Sequence, residues 1–349
     1  MSFSDNIRRV TPYTPGEQPQ RKVIKLNTNE SPYPPSPQVV EAIRAIKASK
    51  LRLYPDPDCR DLRETLAEEY GLEAEQVFVG VGSDDVLSMC FLTFFAGKKP
   101  VLFNDITYSF YEVWADVYRI PFETVPLRED FSFDPDGFLK ENGGIVICNP
   151  NAPTSLEAEL ADIEKVVAEN QDSVVLIDEA YVDFGAHTAL PLLKKYPNVV
   201  IVRTMSKSRA LAGMRVGYAF GSKELIKALH DVKFSVNSYT LNMPALAAGV
   251  AAANDREYFE ETVDRVLVTR EKTKEALRSF GFVVPESRTN FLFAKPPAGK
   301  TAAEIFEKLK EMDIYVRFFN KPRLNEYLRI TIGTDAEMQQ FIKVLQDIL

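Results

Sequence analysis

Hydrophobic positions along this 349-residue chain change their period in an orderly way. Short, continuous apolar runs rich in β-branched residues predict buried strands at Gln76–Val79, Pro100–Phe103, Phe122–Val125, Gly144–Cys148, Val174–Asp178, Asn198–Arg203 and Arg215–Gly221. Helical spacing fills the intervals, most clearly over Asp84–Phe95 and Leu156–Asn170. Ser36-Pro37 predicts a helix start, with proline in the first turn where its missing N–H costs nothing, and the helix is expected to run to about Ser49. This alternation is that of an α/β unit, a large, doubly wound, mostly parallel sheet. Past Asn254 the texture shifts. A long amphipathic helix, Arg256–Ser279, precedes strands at Asn290–Ala294, Ile314–Arg317 and Tyr327–Ile332, with one helix between the first two and another at the end. The expected organisation is therefore a large α/β domain over 31–254 and a smaller α+β domain built from 255–349 with an N-terminal arm, 1–30. No internal repeat or low-complexity tract interrupts it.

Composition narrows the function classes. A hydrophobic fraction of 45% with 26% charged residues suits a globular chain that folds without staples. Its net charge of −8 repels nucleic acid, so any anion site must be made locally. Cys59, Cys90 and Cys148 are unpatterned, and only His187 and His230 are available as imidazoles; reduced thiols, a cytoplasmic setting and no metal site are expected. The opening Met1-Ser2-Phe3-Ser4-Asp5-Asn6 lacks the apolar core of an export signal, and the run from Val86 to Ala96 is too short to span a bilayer, so no membrane partner is expected.

The chemistry concentrates where strands end. Arg203 to Gly217 sets Lys207 among hydroxyls and guanidinium groups. Nearby cations and partial desolvation favour the free amine, which a lysine needs in order to act as a nucleophile. The same hydroxyls and cations suit a phosphate dianion, and a ligand carrying both an aldehyde and a phosphate is pyridoxal phosphate. Asp178, closing the strand Val174–Asp178, is the carboxylate expected against the ring nitrogen of that cofactor. Gly80-Val81-Gly82-Ser83-Asp84 follows a strand and opens a helix, so its N–H groups can receive the phosphate, with Arg215, Ser206 and Ser208 completing the cup. The loop lacks the third glycine of a dinucleotide fingerprint and the Gly-Lys-Ser/Thr ending of a P-loop.

Asp178-Glu179-Ala180-Tyr181 and Ser206-Lys207 together resemble the fold-type I pyridoxal phosphate-dependent aminotransferases. Leu26 to Pro32, Tyr54-Pro55-Asp56, Thr107-Tyr108, Asn149 to Thr154 and Leu328 to Gly333 follow in the order of that superfamily. Val10-Thr11-Pro12-Tyr13, the Leu-Asn-x-Asn-Glu segment and Tyr315-Val316-Arg317 most resemble its histidinol-phosphate aminotransferases. The resemblance implies that Tyr108 stacks on the cofactor ring, that Tyr181 bonds its phenolic oxygen, and that Tyr54 reaches the phosphate of a neighbouring subunit in a homodimer. It makes Arg329 the substrate-anion arginine and Arg317 and Tyr13 phosphate partners, with Asn29 nearby. Small-molecule substrates, histidinol phosphate and glutamate or 2-oxoglutarate, would share one site. Other aminotransferases, phosphothreonine decarboxylases and pyridoxal phosphate-binding regulators are the rival readings. One departure stands out: Asn149-Pro150-Asn151-Ala152-Pro153-Thr154-Ser155 has alanine where the superfamily places its second adjacent asparagine, so Asn151 or Tyr181 is expected to hold the phenolic oxygen instead.

Overall fold

A computed structural model describes residues 2–349. In chain order the regular elements are β1 (Ile24–Lys25), α1 (Pro37–Arg44), α2 (Arg60–Tyr70), β2 (Val77–Gly80), α3 (Gly82–Phe94), β3 (Val101–Asn104), α4 (Phe110–Tyr118), β4 (Phe122–Val125) and β5 (Gly144–Cys148). They continue with α5 (Leu160–Glu169), β6 (Val175–Asp178), β7 (Val199–Thr204), β8 (Gly217–Gly221), α6 (Lys223–Val236), α7 (Met243–Asn254) and α8 (Arg256–Ser279). The chain closes with β9 (Phe291–Ala294), α9 (Ala302–Glu311), β10 (Ile314–Tyr315), β11 (Arg317–Phe318), β12 (Leu328–Thr331) and α10 (Asp335–Ile348).

Seven strands form one sheet in the order β2-β8-β7-β6-β5-β3-β4, in which β8 is antiparallel to both neighbours and every other pairing is parallel. Both faces are covered, which is why the central strands read as unbroken apolar runs. Because side chains alternate along a strand, Val175, Ile177, Val199 and Ile201 pack with α1, α2, α5 and α7, whereas Leu176, Val200 and Val202 pack with α3, α4 and α6. Edge strand β4 departs from this rule, with three of its four residues exposed. A separate core under the three-stranded sheet β11-β12-β9 gathers Phe291, Leu292 and Ile330 with side chains of α8, α9 and α10.

Three boundaries differ from the sequence expectation. The helix capped by Ser36 ends at Arg44 rather than near Ser49, and the helix expected from Leu156 begins at Leu160. The single strand expected over 314–317 is two: Ile314–Tyr315 pairs parallel with β1, and Arg317–Phe318 pairs antiparallel with β12. Val316, buried between them, marks where the chain changes sheets.

Candidate active site

The carboxyl ends of β5, β6 and β7, at the middle of the sheet, converge with the start of α3, as expected for a ligand site in an open α/β sheet. Asp178 is the last residue of β6, and alternation turns it toward α3 and α4. It is 2% exposed. The Tyr111 hydroxyl, at the start of α4, donates to its Oδ2 at 2.7 Å, and the Ala180 N–H donates to Oδ1 at 3.1 Å. Burial pushes its carboxyl up to about 6 against the pull of these two bonds.

Lys207 follows β7 and is partly buried. Its Nζ donates to the Thr28 carbonyl at 3.2 Å and lies 5.7 Å from the Tyr181 ring centroid. Burial first, then the Arg329 cation, brings it down to about 8, with Asp84 and Glu30 opposing. The Tyr181 hydroxyl accepts a 2.8 Å bond from Asn29 Nδ2, and Asn29 is itself fixed by Thr331 Oγ1 at 2.9 Å. Burial raises the Tyr181 phenol to about 12, so it remains a donor.

The anion end is built by close approach. A Cβ on Gly217 would stand 2.3 Å from the Ser83 nitrogen, and one on Gly82, at φ +81°, would stand 2.5 Å from Arg215 Nη2. Only glycine lets β8 close on the first residues of α3, whose first turn has no side-chain cap for its N–H groups. Arg215 Nη1 lies 3.5 Å from Ser206 Oγ, and Asp84 joins the loop to two neighbours through Arg215 Nη2 at 3.2 Å and the Tyr108 hydroxyl at 2.8 Å. Ser208 points elsewhere: its hydroxyl donates to Asp183 Oδ2 at 2.5 Å, behind the sheet end. These features fit pyridoxal phosphate, with a dianion cradle at one end and a buried carboxylate, an amine of lowered basicity and a neutral phenol at the other.

Arg317 and Arg329 are register partners across β11 and β12. Like charges placed opposite one another repel unless an anion lies between them. Neither has a carboxylate partner among the described residues: Arg317 Nη2 donates to the Thr14 carbonyl at 3.2 Å and Arg329 Nη2 to the Asn27 carbonyl at 2.8 Å, leaving the buried Arg329 Nε without an acceptor. Tyr13 stacks on Phe110 with centroids 4.2 Å apart and lies 6.4 Å from Tyr108.

Asn151 also stands differently from expectation. Asn151 commits Nδ2 to the Ile106 carbonyl and to Thr154 Oγ1, each at 2.9 Å, so its amide has no N–H left for a ligand and only its carbonyl oxygen is unpartnered. Ala152 is buried in the small core beside Tyr181. Tyr54 is 79% exposed and stacks on Tyr239, with ring centroids 4.5 Å apart. Three participants escaped the sequence reading: Tyr111 and the carbonyls of Asn27 and Thr28. For Tyr111 the signal was its place three residues after Tyr108 at the opening of a helix; main-chain carbonyls carry none.

The family model for aminotransferase class I and II matches residues 21–345. The chain belongs to that family. It is 51% identical over 348 residues to a histidinol-phosphate aminotransferase of a Marinomonas species, covering 99% of this chain and 98% of the relative. It is 50% identical over 350 residues to that of Lactococcus lactis subsp. cremoris, covering 100% and 98%. The histidinol-phosphate aminotransferase of Sinorhizobium meliloti, solved with pyridoxal-5'-phosphate, superimposes with a TM-score of 0.85 at 25% identity over 94% of this chain and 92% of that one. Among the described residues no helix is long and apolar enough to cross a membrane, and no cluster of three or more His, Cys, Asp or Glu could hold a metal.

Proposed function

We propose that this aminotransferase uses pyridoxal phosphate to move the amino group of L-histidinol phosphate to 2-oxoglutarate, giving imidazole acetol phosphate and glutamate in histidine biosynthesis. Full-length identity of 51% to a relative bearing that activity in its name carries the reading. The facing pair Arg317 and Arg329 supports it, because two uncompensated cations call for a dianion.

Bound here, pyridoxal phosphate supplies an aldehyde carbon and a protonated ring that draws electrons from the substrate α-carbon. The chain's own groups do the rest. The N–H groups of Gly82, Ser83 and Asp84, with Ser206 and Arg215, bind the phosphate. Tyr108 covers the ring face and keeps water from it. Asp178 holds a proton on the ring nitrogen, and Tyr181 donates to the phenolic oxygen, the task for which Asn151 has no free N–H. Lys207 Nζ would hold the aldehyde of the bound cofactor and, once the substrate amino group has displaced it, would as a free amine take the proton from the substrate α-carbon. Burial and the Arg329 cation lower the basicity of Nζ and favour that free amine. Arg329 binds the anion that each substrate brings, the phosphate of histidinol phosphate or a carboxylate of glutamate or 2-oxoglutarate, Arg317 and Tyr13 bind the phosphate of histidinol phosphate, and Asn29 orients Tyr181.

A homodimer is part of the proposal. The exposure of Tyr54, which stacks on Tyr239, supports its serving the phosphate site of a second copy. Borohydride reduction of the loaded enzyme followed by peptide mapping is expected to label Lys207, and histidinol phosphate is expected to have a far larger specificity constant than histidinol, phenylalanine or phosphothreonine. Label on another lysine overturns the site; equal constants for histidinol phosphate and histidinol overturn the substrate.

A further inference from the structure

Asp178 makes no ion pair among the described residues, and its two oxygens are satisfied by only two donors, the Ala180 N–H and the Tyr111 hydroxyl. The first is a local main-chain bond, two residues along. The second crosses from α4, where Tyr111 is fully buried and packed edge-on or tilted against Phe103, Tyr108 and Trp114. A phenol sealed in such a cluster has no water to turn to, so its hydrogen is directed at whatever acceptor the fold supplies. Burial and the negative charges of Asp84 and Glu179 raise the energy of its charge, and neutral thiols and a phenol complete its surroundings. Glu179 follows it in the chain, Asp84 and Cys90 face it from α3, and Cys148 and Tyr181 lie close from β5 and the following turn. Both thiols are kept neutral by burial, which pushes Cys148 up to about 12 and Cys90 higher still. The Tyr111 phenol is likewise held well above its usual range, so it can donate its proton without surrendering it.

We propose that Tyr111 is a positioning residue for the reaction: its hydroxyl, 2.7 Å from Oδ2, keeps Asp178 ionised and aimed at the ligand, although Tyr111 itself touches neither cofactor nor substrate. The inference rests on the reading of Asp178 given under Proposed function, but its test can be run without cofactor. A hydrogen bond to a charged group typically moves the titration of its acceptor by about one to two pH units.

The experiment is a carbon-13 carboxyl NMR titration of the cofactor-free protein, with the Asp178 signal assigned by its loss in Asp178→Asn. In Tyr111→Phe, which keeps the ring and removes only the hydroxyl, the Asp178 midpoint is expected to rise by one to two units. Placing 3-fluorotyrosine at position 111 makes the phenol a stronger donor and is expected to move the midpoint down, so the inference remains testable even if the phenylalanine variant packs poorly. In the loaded enzyme the acid limb of the kcat/KM profile is expected to rise with the midpoint, so that the deficit of Tyr111→Phe shrinks as pH increases. An Asp178 midpoint that stays put in both variants overturns the proposal. A moved midpoint with no change in the acid limb overturns its link to the reaction and leaves the Lys207 labelling result as a separate test of cofactor attachment.

Discussion

Asp178 and Glu179 are neighbours in sequence and equally buried, yet they are provided for in opposite ways. Alternation at the end of β6 sends them to opposite faces of the sheet. On the rear face Glu179 Oε2 accepts Arg203 Nε at 2.9 Å, Nη2 at 2.7 Å and the Thr188 hydroxyl, and Oε1 accepts the Ala189 N–H. Arg203 also lies 4.9 Å from the Tyr70 ring centroid, and its guanidinium is held well above the usual range by the carboxylates around it despite burial. On the front face Asp178 has one phenol and one amide, and burial dominates its titration. Lys207, five residues beyond β7's register partner of Asp178, is likewise driven toward its neutral form. The rear pair is a closed electrostatic account, and the front is left open for a ligand to complete. Sites that must react keep their groups in this unfinished state at some expense of stability.

The largest test of the contrast lies behind the sheet. Glu179→Ala leaves Arg203 buried without its partner, and breaking a buried pair on one side destabilises by about 3–5 kcal/mol. The cofactor-free variant is expected to unfold at much lower urea concentration than the parent, and a change under 1 kcal/mol would show that the rear cluster is not structural.

Asp178→Asn should do the reverse. Because the folded pKa of Asp178 is raised, from 3.8 to about 6, the folded chain keeps a proton that the unfolded chain sheds, and stability falls as pH rises through that window. Above it the cost is complete, about 3 kcal/mol at 1.36 kcal/mol per unit. The cofactor-free Asn variant is therefore expected to match the parent near pH 4 and to exceed it by up to about 3 kcal/mol at pH 7. Catalysis by the loaded variant should collapse. Urea titrations at both pH values decide the first point, and a parent that is equally stable relative to the variant at pH 4 and 7 would refute it.

These two faces also differ in how far the sequence discloses them. The strands β5, β6 and β7 are predicted to within a residue because burial on both sides leaves them continuously apolar. The 314–317 segment is misread because a change of sheet leaves no trace in the hydrophobic period. Lys207 and Asp178 are legible as strand-end groups since their residue types suit a single chemistry. The Tyr111 hydroxyl comes from 67 residues away and the Thr28 carbonyl from 179, and such contacts are fixed by tertiary packing alone. The same holds for Asn151, whose side chain reads as a free donor until the Ile106 carbonyl is seen to occupy it.

Ser206 and Ser208 give the finest probe, because the sequence groups both with the phosphate cup and the structure divides them between the two faces. Flanking Lys207, they are each nearly buried. Ser206 Oγ faces Arg215 on the front; Ser208 Oγ donates to Asp183 on the rear, beside Arg203. Ser208→Ala removes a bond to a charged acceptor and leaves Asp183 short of a donor, for a loss of about 1.5–3 kcal/mol in the cofactor-free protein. It is expected to leave the dissociation constant of pyridoxal phosphate within about twofold, since its hydroxyl is not aimed at the cradle. Ser206→Ala should show the opposite signature. Its 3.5 Å contact with Arg215 is too long to contribute much to the cofactor-free protein, so stability should change by less than about 0.5 kcal/mol. The lost donor to a phosphate should weaken cofactor binding roughly tenfold, about 1.4 kcal/mol. Measuring urea midpoints and cofactor affinity for both variants settles the division: if Ser208→Ala weakens the cofactor more than Ser206→Ala does, the segment around Lys207 turns its hydroxyls the other way.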